Sequence, residues 1–128
     1  MAQLKIEMSD DRLAFMPGQT IQGRFVWTLD RDVQAVEVRL IWFTHGKGTQ
    51  DVSIVATRRV EKPARSGQDA FEFKLPVGPY SFTGKLITLS WALELLTLPG
   101  DQAERIDFIL SPTEHWVVLP TTVAPKQL

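Results

Sequence analysis

An all-β fold, an immunoglobulin-like antiparallel β-sandwich of about eight or nine strands, is what this sequence predicts, and three observations predict it. The first is the stretch 76–96, PVGPYSFTGKLITLSWALELL, in which a corner broken by proline and glycine leads into a long alternating run. Ile87, Leu89, Trp91, Leu93 and Leu95 occupy one parity without interruption, and Leu86, Thr88, Ser90, Ala92, Glu94 and Leu96 the other. A side-chain period of two is that of a strand, here with one face fully buried and the other partly so. The second observation is that shorter alternating segments recur along the chain with turn residues between them. The third is that no segment carries a sustained helical period. The nearest approach, Leu86, Leu89, Leu93 and Leu96, falls within the same run, where the unbroken alternation favours a strand.

Taken in order, Leu4, Ile6 and Met8 alternate with Lys5 and Glu7 and give a first strand. Arg12 to Phe15 is a short second one, ended by the turn dipeptide Pro17-Gly18. Ile21, Gly23, Phe25, Trp27 and Leu29 share one parity of the next, with Gln22, Arg24 and Thr28 opposite. A glycine inside that face signals a bulge or a close backbone approach. After the turn at 29–32, Val36, Val38, Leu40 and Trp42 form the buried parity of a fourth strand, with Glu37 and Arg39 facing out. A reversal at His45-Gly46-Lys47-Gly48 follows. Val52, Ile54, Ala56 and Val60 then continue on one parity, broken by Arg58. Residues 62–69 read as a polar loop, and Phe71, Phe73 and Leu75 as a strand before Pro76. Pro79 belongs ahead of the long strand, because proline has no N–H for a ladder. A turn at 98–101, a strand through Ile106, Phe108 and Leu110, and a short edge segment at 116–119 complete the set. The expected organisation is a single sandwich over 1–119 and a frayed tail over 120–128.

Composition narrows the function. The chain's 128 residues make one domain on size and suffice for a real core. A formal net charge of -1 supplies no global field for nucleic acid or an anionic membrane. With no cysteine, disulfides, thiolate zinc sites and cysteine nucleophiles are excluded. The start MAQLKIEMSDD lacks the pattern of a secretory signal, and the apolar window 86–98 contains Glu94 and is too short to span a bilayer. A cytoplasmic protein is expected.

Several of these pieces together resemble the arrestin-like N-terminal domain family, which includes arrestins, arrestin-related trafficking adaptors, the retromer arrestin-like subunit and bacterial sporulation-control proteins. The pieces are a short amphipathic strand before MPGQTIQGRFVWTL, then AVEVRLIWF with GKGTQ, then FEFKLPVGPYSFTGKLITLSWALEL, then IDFILSP. They occur in order over most of residues 4–112. Family members typically carry two such sandwiches, and this chain has room for one, so a second arrestin-like domain supplied in trans is an open question. The resemblance implies a non-catalytic interaction role.

No catalytic constellation stands out. His45 and His115 are far apart and in no metal-ligand spacing, so neither a metal site nor a cofactor is expected. Glu94 and Asp107 are acids on otherwise apolar strands, read as solvent-facing. Gly46-Lys47-Gly48 lacks the spacing of a phosphate loop. Trp27, Trp42 and Trp91 read as core groups, whereas Phe82 and Trp116 lie near reversals. The polar feature of most interest is RRVEKPAR: Arg58 falls on an inward parity, which requires the core to end before it, a bulge to change the parity or a buried acid to pair with it. Arg59, Lys62 and Arg65 form the candidate partner-binding set, for a carboxylate- or phosphate-bearing surface. The expected function is therefore a non-catalytic scaffold or adaptor domain binding a protein partner. An edge-paired homodimer is a secondary expectation, and a small-ligand or carbohydrate-binding sandwich is the alternative.

Overall fold

The computed structural model describes residues 2–9, 12–46, 49–84, 86–100, 102–113 and 117–118. Its strands are β1 (Gln3–Met8), β2 (Ala14–Phe15), β3 (Thr20–Thr28), β4 (Ala35–Gly46), β5 (Thr49–Glu61), β6 (Ser66–Lys74), β7 (Phe82–Thr83), β8 (Ile87–Leu98), β9 (Ala103–Leu110) and β10 (Val117–Val118). One sheet runs β1-β3-β6, all antiparallel. The other runs β10-β7-β8-β4-β5, with β9 also on β8 and β2 parallel to β9. The two layers make the β-sandwich expected from the alternating pattern. Of the ten segments, the one without a counterpart in the sequence reading is the two-residue β7. The tail over 120–128 and the residues His115 and Trp116 lie outside the described residues.

The core sits between the sheets. Leu4, Ile6, Ile21, Phe25, Trp27, Phe71 and Phe73 face it from the smaller sheet, and Val36, Val38, Leu40, Leu89, Trp91, Leu93 and Leu95 from the larger. Each such side chain stabilises the fold by about 1.5–3 kcal/mol relative to exposure, which is why strict alternation in the sequence maps onto one buried face. Phe15 closes the end of the core edge-on against Phe108, with ring centroids 5.6 Å apart. The long strand runs from Ile87 to Leu98, so the turn expected from 98 begins one residue later. Ile87 itself is 43% exposed, because its partner is Gly46 at the hairpin end, beyond the covering sheet. Trp42 is half-buried against the core, whereas Trp27 and Trp91 are fully inside.

Ser81 anchors the proline corner. Its N–H donates to the Leu110 carbonyl (2.7 Å) and its hydroxyl accepts from the Leu110 N–H (2.9 Å), with both residues fully buried. Replacing Ser81 by alanine strands that N–H in the interior. An expected loss of about 1–3 kcal/mol is to be read as a lower denaturation midpoint.

Two expectations change. Residues 66–69, read as loop, belong to β6, where Ser66 to Asp69 pair with Thr28 to Phe25. These residues contribute hardly any apolar surface, and Gly67 leaves room for the Trp27 indole, whose ring would lie 2.6 Å from a Cβ there. Trp27 crosses the strand and donates from Nε1 to the Ala64 carbonyl at 2.8 Å. The second change is in β5. Val52 and Ile54 do not continue the buried parity: they are 57% and 52% exposed. The β4–β5 register shifts between Leu40 and Ile41, leaving Val55 as an extra residue. A single bulge residue reverses which face the remaining side chains take. Ala56 and Val60 therefore pack on the core, whereas Ile54 and Val52 stand opposite Ile41 and Phe43 on the outer face.

Candidate functional site

The surface of greatest chemical interest lies on and around β5. That strand ends the larger sheet, so its backbone pairs with β4 on one side, and no ladder occupies the other among the described residues. Across the open flank of the sandwich stands β6, likewise last in its sheet. A cleft of about 690 Å³ separates the two edges, with Gly23, Ala56, Arg58, Phe71 and Phe73 among its walls.

The bulge gives β5 two unlike halves. On the hairpin side, Val52 and Ile54 extend an apolar outer row: Ile54 lies beside Ile41 and then Ala92, and Val52 beside Phe43 and then Ser90. Ile41, Phe43 and Ala92 form a small buried cluster of their own on this face. The Arg105 guanidinium covers the Phe43 ring at 4.7 Å, and His45 stacks beside that ring with centroids 6.0 Å apart. The imidazole therefore has an apolar neighbour, at the exposed end of β4.

The other half carries the basic segment. Arg58 does fall on the inward parity, with Ala56 and Val60: the bulge turns Val52 and Ile54 outward instead, and the Arg58 side chain leaves the core at the flank to pair at 2.8 Å with Asp69, a half-buried acid rather than a fully buried one. Arg59 points to the outer face and pairs with Glu61, its first and strongest partner, and with Glu37 at 3.3 Å. The Glu61 carboxylate, followed by Glu37, raises the Arg59 guanidinium above its ordinary pKa and so holds its charge. Glu37 is on the outward parity as expected, yet only 6% exposed, because Arg39 and Arg59 close over it. Lys62 stands in the turn after β5 with φ of 48°, its N–H donating to the Gln34 carbonyl. Arg65 reaches Asp32 at 3.0 Å. The three residues predicted for partner binding thus follow one another along the end of β5 and its turn, with Arg59 and Arg65 each engaged by a carboxylate.

Glu94 and Asp107 share the outer face but are not a reacting pair. Glu94 is half-buried opposite Arg39 and Arg105, and Asp107 pairs with Arg105 at 3.1 Å. Among the described residues no group of three or more His, Asp or Glu side chains is placed to hold a metal ion. No helix among them is long and apolar enough to cross a membrane. Sequence reasoning found the basic segment but missed the exposed aliphatic pair, Val52 and Ile54. Arg58, on the same parity, put that parity in question, but it is Val52 and Ile54 that leave the inner face and Arg58 that stays on it.

Comparison with known proteins supports the architecture. No family profile matches the chain, and no curated protein matches it. Among solved structures, the sporulation control protein Spo0M from Bacillus subtilis superposes with a TM-score of 0.59 at 18% identity, over 86% of this chain and 49% of that one. The chain spans about half the length of that relative. At such identity the likeness is one of fold, and it supports an arrestin-like β-sandwich for this chain.

Proposed function

We propose that this domain is a non-catalytic protein-interaction module, a scaffold or adaptor of arrestin-like type, which holds a protein partner along β5 and the turn that follows. The observation that carries the reading is the β5 edge: a 13-residue strand, paired on one side except at the bulge residue Val55, with Val52, Ile54 and Val55 exposed. An unpaired edge offers main-chain donors and acceptors to an added strand, and alternate side chains supply specificity. The likeness to a regulatory sporulation protein is in keeping with that role. Arg59, Lys62 and Arg65 form the polar rim of the surface. A partner carboxylate or phosphate there displaces Glu61 or Asp32 from its arginine, so the rim contributes mainly to association rate and salt sensitivity.

The small-ligand alternative needs exposed aromatic side chains in a row. Among the described large hydrophobics, the exposed aromatic residue is Tyr80, which stands apart from β5 in the proline corner. The interaction reading is the better supported of the two.

The test is affinity capture from the native host with three baits: the wild type, the charge-reversed R59E/K62E/R65E variant, and V52K/I54K. A partner retained by the wild type, weakened by charge reversal at low salt and lost with V52K/I54K is the expected result. A partner set identical for all three baits would remove β5 and its turn from the interaction.

A further inference from the structure

We propose that the partner on the hairpin half of β5 is a second copy of this chain, joined antiparallel about a two-fold axis at Ile54. The proposal rests on the interaction reading above and names its occupant. Three features of the strand favour its own reverse as the complement.

The first is charge. β5 carries an acid near its start, Asp51, and a base beyond the bulge, Arg58, and both lie on the inner-face parity. With Val55 set aside as the bulge residue, as it already is against β4, Ile54 on the axis places Asp51 of each copy opposite Arg58 of the other. Two symmetric ion pairs result, each adding a second carboxylate to an arginine that is 54% exposed in the single chain and already paired there with Asp69. Opposite charges facing across a ladder stabilise it, and an isologous interface makes every such pair twice.

The second feature is apolar continuity. In the same register the outer-face row Ala92–Ile41–Ile54 runs straight into Ile54, Ile41 and Ala92 of the second copy. Ile54, now 52% exposed, would be covered from both sides. Val52 falls opposite Thr57, also on the outer face.

The third is the uneven defence of the edge. Natural edge strands are protected by charges, prolines and bulges. The far half of β5 has Arg58, Arg59 and Glu61, and Val55 bulges at the middle. The stretch 50–54, QDVSI, has a single charge, which is the one the register above satisfies.

The experiment measures self-association of the full chain by sedimentation over a wide concentration range, together with disulfide trapping. The chain has no cysteine, so a single introduced thiol can bond only to another molecule. Wild type should pass from monomer to dimer with rising concentration, and the dimer should weaken with salt. I54K should weaken self-association at least about tenfold, the effect of losing about 1.4 kcal/mol, with an unchanged circular dichroism spectrum. I54C should give a disulfide dimer under mild oxidation, whereas E72C, on the β6 edge, should not. Rapid cross-linking of both thiols alike would overturn the proposal, as would a wild type that stays monomeric throughout. A monomeric wild type whose host partner is still lost with V52K/I54K would overturn self-pairing alone and leave the interaction reading standing. A monomer whose capture is also unchanged would remove both.

Discussion

Trp91→Ala is expected to destabilise the domain by about 3–5 kcal/mol, a large part of the roughly 5–15 kcal/mol that holds a typical domain folded. Trp91 is fully buried at the centre of the larger sheet, with Trp42 on one neighbouring strand and Phe108 on the other. Its ring lies 6.0 Å from that of Phe108, centroid to centroid. Deleting an indole at such a place leaves a cavity that neighbours on rigid strands fill poorly, so a cavity cost adds to the lost transfer energy. A second loss is specific to this position. Trp91 Nε1 donates to the Pro79 carbonyl at 2.7 Å, which ties the proline corner to the strand it introduces. Trp91→Phe separates the two contributions, because it keeps most of the apolar volume and removes the donor. The expected order of midpoints in equilibrium denaturation is wild type, then Trp91→Phe, then Trp91→Ala, with unchanged slopes. A loss under about 1 kcal/mol for alanine would mean that the core does not close around this residue.

How far the fold could be read in advance depended on register. The run from Leu89 to Leu95 keeps one uninterrupted ladder with β4, so period two translated directly into burial. Phe25 and Trp27 behave in the same way between β1 and β6. Parity fails where a register changes without any local sequence mark. Val55 looks like every other β-branched residue of its strand, yet as the bulge residue it sends Val52 and Ile54 outward. Arg58 on the parity of Val52 and Ile54 showed that the three could not all face the core; the bulge turns the two aliphatic residues out, while Arg58 stays on the inner face and pairs with Asp69 at the flank. The start of β6 was hidden for another reason. Ser66 to Asp69 carry no apolar side chain, and their strand conformation comes from pairing with β3. As for the candidate surface, the order of the basic residues was legible. Their carboxylate partners were not, because Asp32 and Glu37 meet Arg65 and Arg59 only through tertiary pairing. The apolar half of the surface was invisible for the same reason as the bulge.

Gly23→Ala tests the other sheet, and here the sign of the effect is informative. Alanine is ordinarily better than glycine inside a strand by roughly 0.5–1 kcal/mol, because glycine loses more backbone freedom on folding. At Gly23 the opposite is expected. This residue lies in the middle strand of β1-β3-β6, opposite Met8 on one side and Phe71 on the other. A Cβ on it would run into the carbonyl oxygen of Glu7 and come within 3.0 Å of the Met8 Cα. These are backbone atoms, so no rotamer change can relieve the overlap and β1 itself must move. Overpacking of this kind typically costs about 1–3 kcal/mol, which outweighs the entropic gain. The damage should also be local. The Ser9 N–H bond to the Gln22 carbonyl and the Glu7–Arg24 ion pair hold the end of β1 beside this contact. Hydrogen exchange should therefore show the amides of β1 losing protection first, while β4 and β8 retain theirs. A stabilised Gly23→Ala protein would show that β1 does not approach β3 so closely, and that the glycine serves no packing purpose there. A uniform loss of protection across both sheets would instead make β1 part of the cooperative core, its removal felt through Leu4 and Ile6, which face Trp27 and Phe25 across the ladder and pack within the same interior.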